Sequence, residues 1–129
     1  MQRVRNVIGI ISGSIFILSS AAHSLLGWPS LREKLAAATA PADLTTALML
    51  GWHFAGLAML VFGIIVIGSF AHAIRGESVS FTTCVVIGLA YTLYGVWALA
   101  VVRDPFFLIF IVPGLLLLAA SWRPASERK

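Results

Sequence analysis

TALMLGWHFAGLAMLVFGIIVIGSF, residues 46–70, is the stretch that decides the fold, because it is long, mostly apolar and free of Asp, Glu, Lys and Arg. A helix needs about 20 apolar residues to cross the hydrocarbon of a bilayer. Lipid cannot satisfy backbone N–H and C=O groups, so a stretch that crosses the membrane must pair them within a helix. Residues 46–70 therefore predict a transmembrane α-helix.

Three further stretches of the same character fill most of the remaining chain, namely residues 4–26, 81–102 and 106–122. Arg5 is their one charged residue, and it lies in the first turn. The first stretch has features of a secretory signal, but it exceeds the roughly 7–15 apolar residues typical of one, so we expect a retained helix. The sequence thus predicts an all-α fold, an integral membrane bundle of four transmembrane helices forming a single domain over residues 1–129.

Composition agrees with a membrane protein and excludes several other classes. Hydrophobic residues make up 60% of the chain and charged residues 11%, whereas soluble domains carry roughly 25% charged residues. The net charge of +4 comes from residues that flank the spans, which predicts contact with lipid headgroups and not with nucleic acid. The single cysteine, Cys84, excludes an intramolecular disulfide and a cysteine-based metal cluster.

The distribution of Lys and Arg predicts the orientation. The termini and the middle loop contain Arg3, Arg5, Arg75, Arg123, Arg128 and Lys129, whereas the first and third loops contain Arg32, Lys34 and Arg103. Basic loops remain preferentially in the cytoplasm, so we expect both termini inside. The layout resembles that of several small bacterial four-span families, DoxX-like proteins among them, although no motif carries a residue role over from them. We expect a bacterial inner-membrane protein, N-in and C-in.

The connections carry helix signals. Ser30 and Glu33 fit a capping box, which predicts a short helix over Leu31–Ala38 lying in the outer interface. Asp43 and Asp104 are placed to cap the second and fourth spans. Short connections predict that the second, third and fourth spans are sequential antiparallel neighbours.

Glycines mark faces on three spans where helix backbones can approach closely. They form the pairs Gly9 and Gly13, Gly56 and Gly63, and Gly88 and Gly95. Such faces associate through close packing in lipid. The sequence leaves open whether they pack within one chain or against a second copy.

Two histidines, His23 and His53, are the sharpest candidate site. They are expected at similar depth near the outer ends of two antiparallel spans, and polar groups inside a membrane are functional candidates by default. Two facing imidazoles could ligate a haem iron or another metal, or hydrogen-bond a quinone carbonyl. The alternative is a structural role, with each imidazole bonded to Ser, Tyr or a backbone carbonyl across helices.

The third span adds aromatic side chains in the same outer half. Tyr91, Tyr94 and Trp97 are expected near the histidines, with Arg103 at the rim. An aromatic cavity with a few polar groups is typical of a quinone or amphiphile site.

These patterns favour a non-catalytic subunit or binding protein that holds a hydrophobic ligand, lipid or partner helix in its outer half. One alternative is a redox protein with a bis-histidine haem or a quinone as cofactor. Another is a small oligomeric channel or transporter built through the glycine faces. The expected partners are membrane lipids, other membrane subunits or further copies of the chain.

Overall fold

The computed structural model describes residues 2–122, and every regular element among them is helical. In chain order the elements are α1 (Gln2–Ala22), a π-helical turn (His23–Gly27), α2 (Trp28–Ala37), α3 (Ala42–Ile74), α4 (Thr82–Val102), a 3₁₀ turn (Pro105–Phe107) and α5 (Leu108–Ser121). We call the end that contains the π-helical turn the outer end, and the end that contains the loop between α3 and α4 the inner end. The all-α fold class is confirmed.

Three helical segments are long and apolar enough to cross a membrane. They are Gln2–Ala37 with 36 residues, Ala42–Ile74 with 33 and Thr82–Val102 with 21. The fourth predicted span coincides with a shorter apolar helical segment, Pro105–Ser121. At 1.5 Å per residue the first two segments are roughly 50 Å long, well beyond the roughly 30 Å of hydrocarbon. The α1–α2 segment and α3 therefore extend further along the chain than the predicted spans.

The first connection differs from the prediction. Its helix begins at Trp28 and follows α1 directly through the π-helical turn, so no irregular linker precedes it. Ser30 lies inside this helix and does not cap it, because the chain is already helical when it reaches Pro29, which occupies the first turn. Asp43 lies in the first turn of α3, one residue past its start, and Pro41 takes the cap position. At the other predicted cap, the Asp104 carboxylate accepts a 2.8 Å hydrogen bond from the N–H of Phe106, as expected.

Helix α1 has a central place in the packing. It packs most extensively against α3 and also against α5, and α5 in turn packs along α4. Helices α3 and α4 touch little, although a short loop joins them. The prediction that the third and fourth spans are neighbours is confirmed. The second and third approach closely at few positions and meet through larger side chains such as Phe62 and Tyr91. Fully buried side chains from α1, α3, α4 and α5 form the core: Phe16, Val66, Phe70, Cys84 and Leu117.

The predicted glycine faces pack within this chain. A Cβ added to Gly63 would lie 2.8 Å from the carbonyl oxygen of Gly13, so α1 and α3 approach backbone to backbone. A Cβ added to Gly88 would lie 3.1 Å from the carbonyl oxygen of Gly114, which shows the same close approach between α4 and α5. The question that the sequence left open is answered for these faces, because helices of the same chain cover them.

Candidate ligand-binding site

The π-helical turn lies where α1 leaves the bundle. Within it the backbone N–H of Trp28 donates to the carbonyl oxygen of His23, five residues earlier. Single π-turns inside longer helices occur frequently at functional sites, because the wider turn changes the direction of side chains and loosens the regular backbone pattern. Here the turn brings the backbone of His23 against α3.

His23 and Trp52 hold each other through two hydrogen bonds. The indole Nε1–H of Trp52 donates to the carbonyl oxygen of His23 at 2.8 Å. In return, the imidazole Nε2 of His23 lies 3.1 Å from the carbonyl oxygen of Trp52. A carbonyl can only accept, so Nε2 carries the proton in this pair. The two rings also stack, with centroids 4.2 Å apart and planes 5° apart.

Small side chains bring the two helices together around this pair. The hydroxyl of Ser20 donates to the carbonyl oxygen of Gly56 at 2.6 Å, and this bond is buried. The space that a side chain at Gly56 would need is filled by the hydroxyl of Ser24. A Cβ at Gly27 would lie 2.9 Å from the Trp52 ring. The junction of α1, the π-helical turn and α3 is therefore closely packed and hydrogen-bonded across the helices.

His53 has a different environment from His23. Its side chain is exposed, and its ring lies beside that of Trp28 with centroids 5.8 Å apart. Within residues 2–122 no hydrogen bond or ion pair of the imidazole is found. Its neighbour Phe54 is 72% exposed. An accessible imidazole thus lies beside an indole on the surface of the outer end, and it can donate or accept one hydrogen bond to a bound molecule.

The aromatic residues predicted to join the histidines lie elsewhere. Tyr91 is buried in the middle of the bundle, with its ring 4.1 Å from that of Phe16 by centroids. Tyr94 and Trp97 are exposed on α4, and the Tyr94 ring packs edge-on against Phe110 of α5 at 5.2 Å.

The last predicted site residue, Arg103, ends α4. It adopts a left-handed conformation with φ of 58°, and its N–H donates to the carbonyl oxygen of Leu99. Its side chain is exposed. Among the described contacts none joins Tyr91, Tyr94, Trp97 or Arg103 to either histidine. The predicted residues therefore fall into three places: the junction with α3, the core, and the surface of α4.

The hydroxyl of Tyr91, like that of Ser121, is an unexpected polar group in the interior of residues 2–122. It is buried without a hydrogen-bond partner among the described residues. Rings from three other helices surround it, because Phe16, Phe62 and Phe110 all contact Tyr91. The side chain thus serves as a packing element in this arrangement.

The arrangement also limits the metal hypothesis. His23 would have to break its bond to Trp52 before Nε2 could bind a metal or haem iron. Over the described part of the chain, no group of three or more His, Cys, Asp and Glu side chains could hold a metal ion. The junction is better suited to a single hydrogen bond from His53 and to aromatic contact with Trp28.

Sequence reasoning missed Trp52, the partner that fixes His23. A detectable signal exists, because Trp52 precedes Gly56 by four residues and Gly63 by eleven, which places all three on one helical stripe.

Comparison with known protein families, characterised proteins and solved structures finds no match to this chain.

Proposed function

We propose that this chain is a non-catalytic integral membrane protein that binds the polar end of a hydrophobic amphiphile, a lipid or a quinone, at its outer end. His53 supplies a hydrogen bond and Trp28 an aromatic surface. One observation carries the proposal: His53 is exposed beside Trp28 and makes no hydrogen bond within residues 2–122, while the neighbouring His23–Trp52 pair holds the helices beneath it in place.

The surface of the protein supports a membrane location. Large apolar side chains are exposed around the described helices, and Leu25, Leu26 and Phe54 are each 72% exposed. Soluble monomers rarely carry contiguous apolar surface of this extent, whereas lipid tails solvate it. The proposal takes Pro105–Ser121 as a fourth, short span near the lower length limit.

The orientation follows from charge. The excess of Lys and Arg in the termini and in the loop between α3 and α4 favours the cytoplasmic side for the inner end. The outer end, with Trp28 and His53, then lies at the opposite interface of a bacterial inner membrane. Trp side chains favour the headgroup level, where an amphiphile presents its polar end.

A ligand of this type matches the chemistry of the site. A quinone carbonyl or a lipid ester accepts a hydrogen bond from an imidazole N–H, and the acyl or isoprenoid chain can lie along the apolar surface near Phe54. Neutral imidazole has one donor and one acceptor, so it serves either kind of polar end. An oligomer built through the predicted glycine faces receives no support, because these faces are covered within the chain.

The test uses the full chain extracted with a mild detergent that retains bound lipid. Native mass spectrometry, followed by identification of the released small molecules, is applied to the wild type, His53→Leu and His53→Gln. We expect a stoichiometric amphiphile on the wild type, its loss from His53→Leu, and its partial retention by His53→Gln, which keeps a hydrogen-bonding side chain.

Stability measurements on the same samples control for unfolding. His53 makes no hydrogen bond within residues 2–122, so His53→Leu should leave thermal stability unchanged. Undiminished ligand retention by a folded His53→Leu protein would contradict the proposed site.

A further inference from the structure

A pocket at the inner end of the bundle has an apolar part and a polar part. It is an open depression of about 460 Å³ between α3 and the loop that leads to α4. Its lining consists of Ile65, Gly68, Ser69, His72, Glu77, Ser78, Val79 and Ser80. Apolar surface lies toward the middle of α3, and polar side chains lie toward the loop.

His72 and Glu77 line the polar end of this pocket, and Arg75 lies beside it against Glu77. Nδ1 of His72 hydrogen-bonds Oε2 of Glu77, and Nη1 of Arg75 lies 3.9 Å from Oε1 of the same carboxylate. All three side chains are about half exposed or more. A partly exposed ion pair of this length is weak, so the Glu77 carboxylate and the Arg75 guanidinium can each take another partner.

The hydroxyls of the pocket add hydrogen-bond capacity. Ser69 donates to the carbonyl oxygen of Ile65, and the hydroxyl of Ser80 lies 3.1 Å from that of Thr82. The hydroxyl of Ser78 has no partner among the described residues. Hydroxyls keep acceptor lone pairs and can rotate, so they can join a phosphate or glycerol group.

Above the pocket the surface of α3 is open. A Cβ added to Gly68 would have nothing within 4 Å. Helices α3 and α4 touch little, and the contact between the Phe62 and Tyr91 rings lies deeper in the bundle. An acyl chain can therefore lie on the open surface of α3 at Gly68.

We infer that this pocket holds the headgroup of a phospholipid that carries a primary ammonium, of which phosphatidylethanolamine is the simplest. The ammonium donates to the Glu77 carboxylate, the phosphate lies against Arg75 and the serine hydroxyls, and one acyl chain lies on the open surface of α3 at Gly68. A quaternary ammonium has no N–H to donate, so phosphatidylcholine binds less well. This site lies at the opposite end from His53, and it shares with the proposed function only the membrane location.

The experiment places the full chain in nanodiscs that contain equal amounts of dioleoyl-phosphatidylethanolamine and dioleoyl-phosphatidylcholine. Native mass spectrometry measures the ratio of the two lipids that remain bound, because their masses differ. We expect a preference of about fivefold for phosphatidylethanolamine in the wild type, the size of one partly exposed charge-assisted hydrogen bond. Glu77→Gln should abolish the preference, and Glu33→Gln, the same change on exposed α2, should retain it.

A second pair of variants tests the open surface at Gly68. Gly68→Leu fills open space above the pocket and should reduce the total bound phospholipid severalfold. Gly51→Leu is the matched control, since Gly51 also lies on α3 with nothing within 4 Å of an added Cβ.

Three results would overturn the inference: equal binding of the two lipids by the wild type, an unchanged preference in Glu77→Gln, or equal lipid retention by the two leucine variants. None of them bears on retention at His53, so the two proposals fail separately. A chain that does not insert into the nanodiscs would overturn the membrane location on which both depend.

Discussion

The contact between α1 and α3 and the contact between α3 and α4 differ sharply. In the first, a Cβ at Gly63 would lie 2.8 Å from the carbonyl oxygen of Gly13, and Ser20 hydrogen-bonds across to the backbone of α3. In the second, helices joined by a short loop touch little, and the ring contact between Phe70 and Phe81 lies beside that loop. The pair with the longer connection is the more closely packed.

Small residues on facing surfaces explain this difference. Gly13 and Gly63 let two backbones meet, which multiplies dispersion contacts in a solvent that offers no hydrophobic effect between helices. Between α3 and α4, large rings such as Phe62 and Tyr91 provide the contact. Loop length thus indicates which helices can meet, and the small residues determine which helices pack closely.

The largest effect is expected from Gly63→Ala. The added Cβ would lie 2.6 Å from Ile17 Cγ1 and 2.8 Å from the Gly13 carbonyl oxygen, so α1 and α3 must separate, at a cost of about 2 kcal/mol. Gly68→Ala is the control, and it should be neutral or slightly stabilising because its Cβ meets nothing and alanine favours the helix. Reversible unfolding in mixed detergent micelles measures both. Equal stability of the two variants would show that the α1–α3 contact is not close.

A smaller effect is expected from Trp52→Phe. This change keeps a ring for stacking on His23 and removes the indole N–H that donates to the His23 carbonyl, at a cost of about 1 kcal/mol in the free energy of unfolding. Trp97→Phe, on the exposed surface of α4, should cost close to nothing. The same unfolding assay compares them. A Trp52→Phe variant as stable as Trp97→Phe would show that the hydrogen bond from Trp52 to the His23 carbonyl does not stabilise the fold.

Ser20→Ala should have the smallest effect, about 0.6 kcal/mol, the average for a hydrogen bond between membrane helices. The variant loses the bond to the Gly56 carbonyl without creating steric conflict. Ser19→Ala is the neighbouring control, since Ser19 makes no side-chain hydrogen bond within residues 2–122. A loss of stability in Ser19→Ala that equals the loss in Ser20→Ala would mean that the bond contributes nothing specific.

Much of the fold could be predicted from the sequence because lipid imposes strict rules. Residues 46–70, a long apolar stretch without charge, predict the middle of α3 (Ala42–Ile74). Asp104 is recognisable as a cap from its residue type and its position before Pro105. The π-helical turn after Ala22 was not predictable, because no residue type in HSLLG requires it and packing against Trp52 accompanies it. The order of helices depends on matching surfaces between distant segments, which a single sequence does not reveal.

The candidate site shows a similar limit. The sequence identifies His23 and His53 as candidates, but neighbouring residues on a helix point about 100° apart, so only one of Trp52 and His53 can face α1. The helical stripe through Gly56 and Gly63 can include either residue, because Trp52 precedes Gly56 by four residues and His53 precedes it by three. In the structure Trp52 packs against His23 of the neighbouring segment, and His53 therefore lies on the surface.

Spin-label distance measurements compare the two contacts directly, since α1 and α3 pack backbone to backbone whereas α3 and α4 approach closely at few positions. Cys84 is first replaced by Ala, and label pairs are placed at exposed positions: Leu18 with Leu57 across α1–α3, and Val61 with Leu93 across α3–α4. In nanodiscs we expect a narrow distance distribution for the first pair and a clearly broader one for the second. A distribution across α3–α4 as narrow as that across α1–α3 would contradict this expectation.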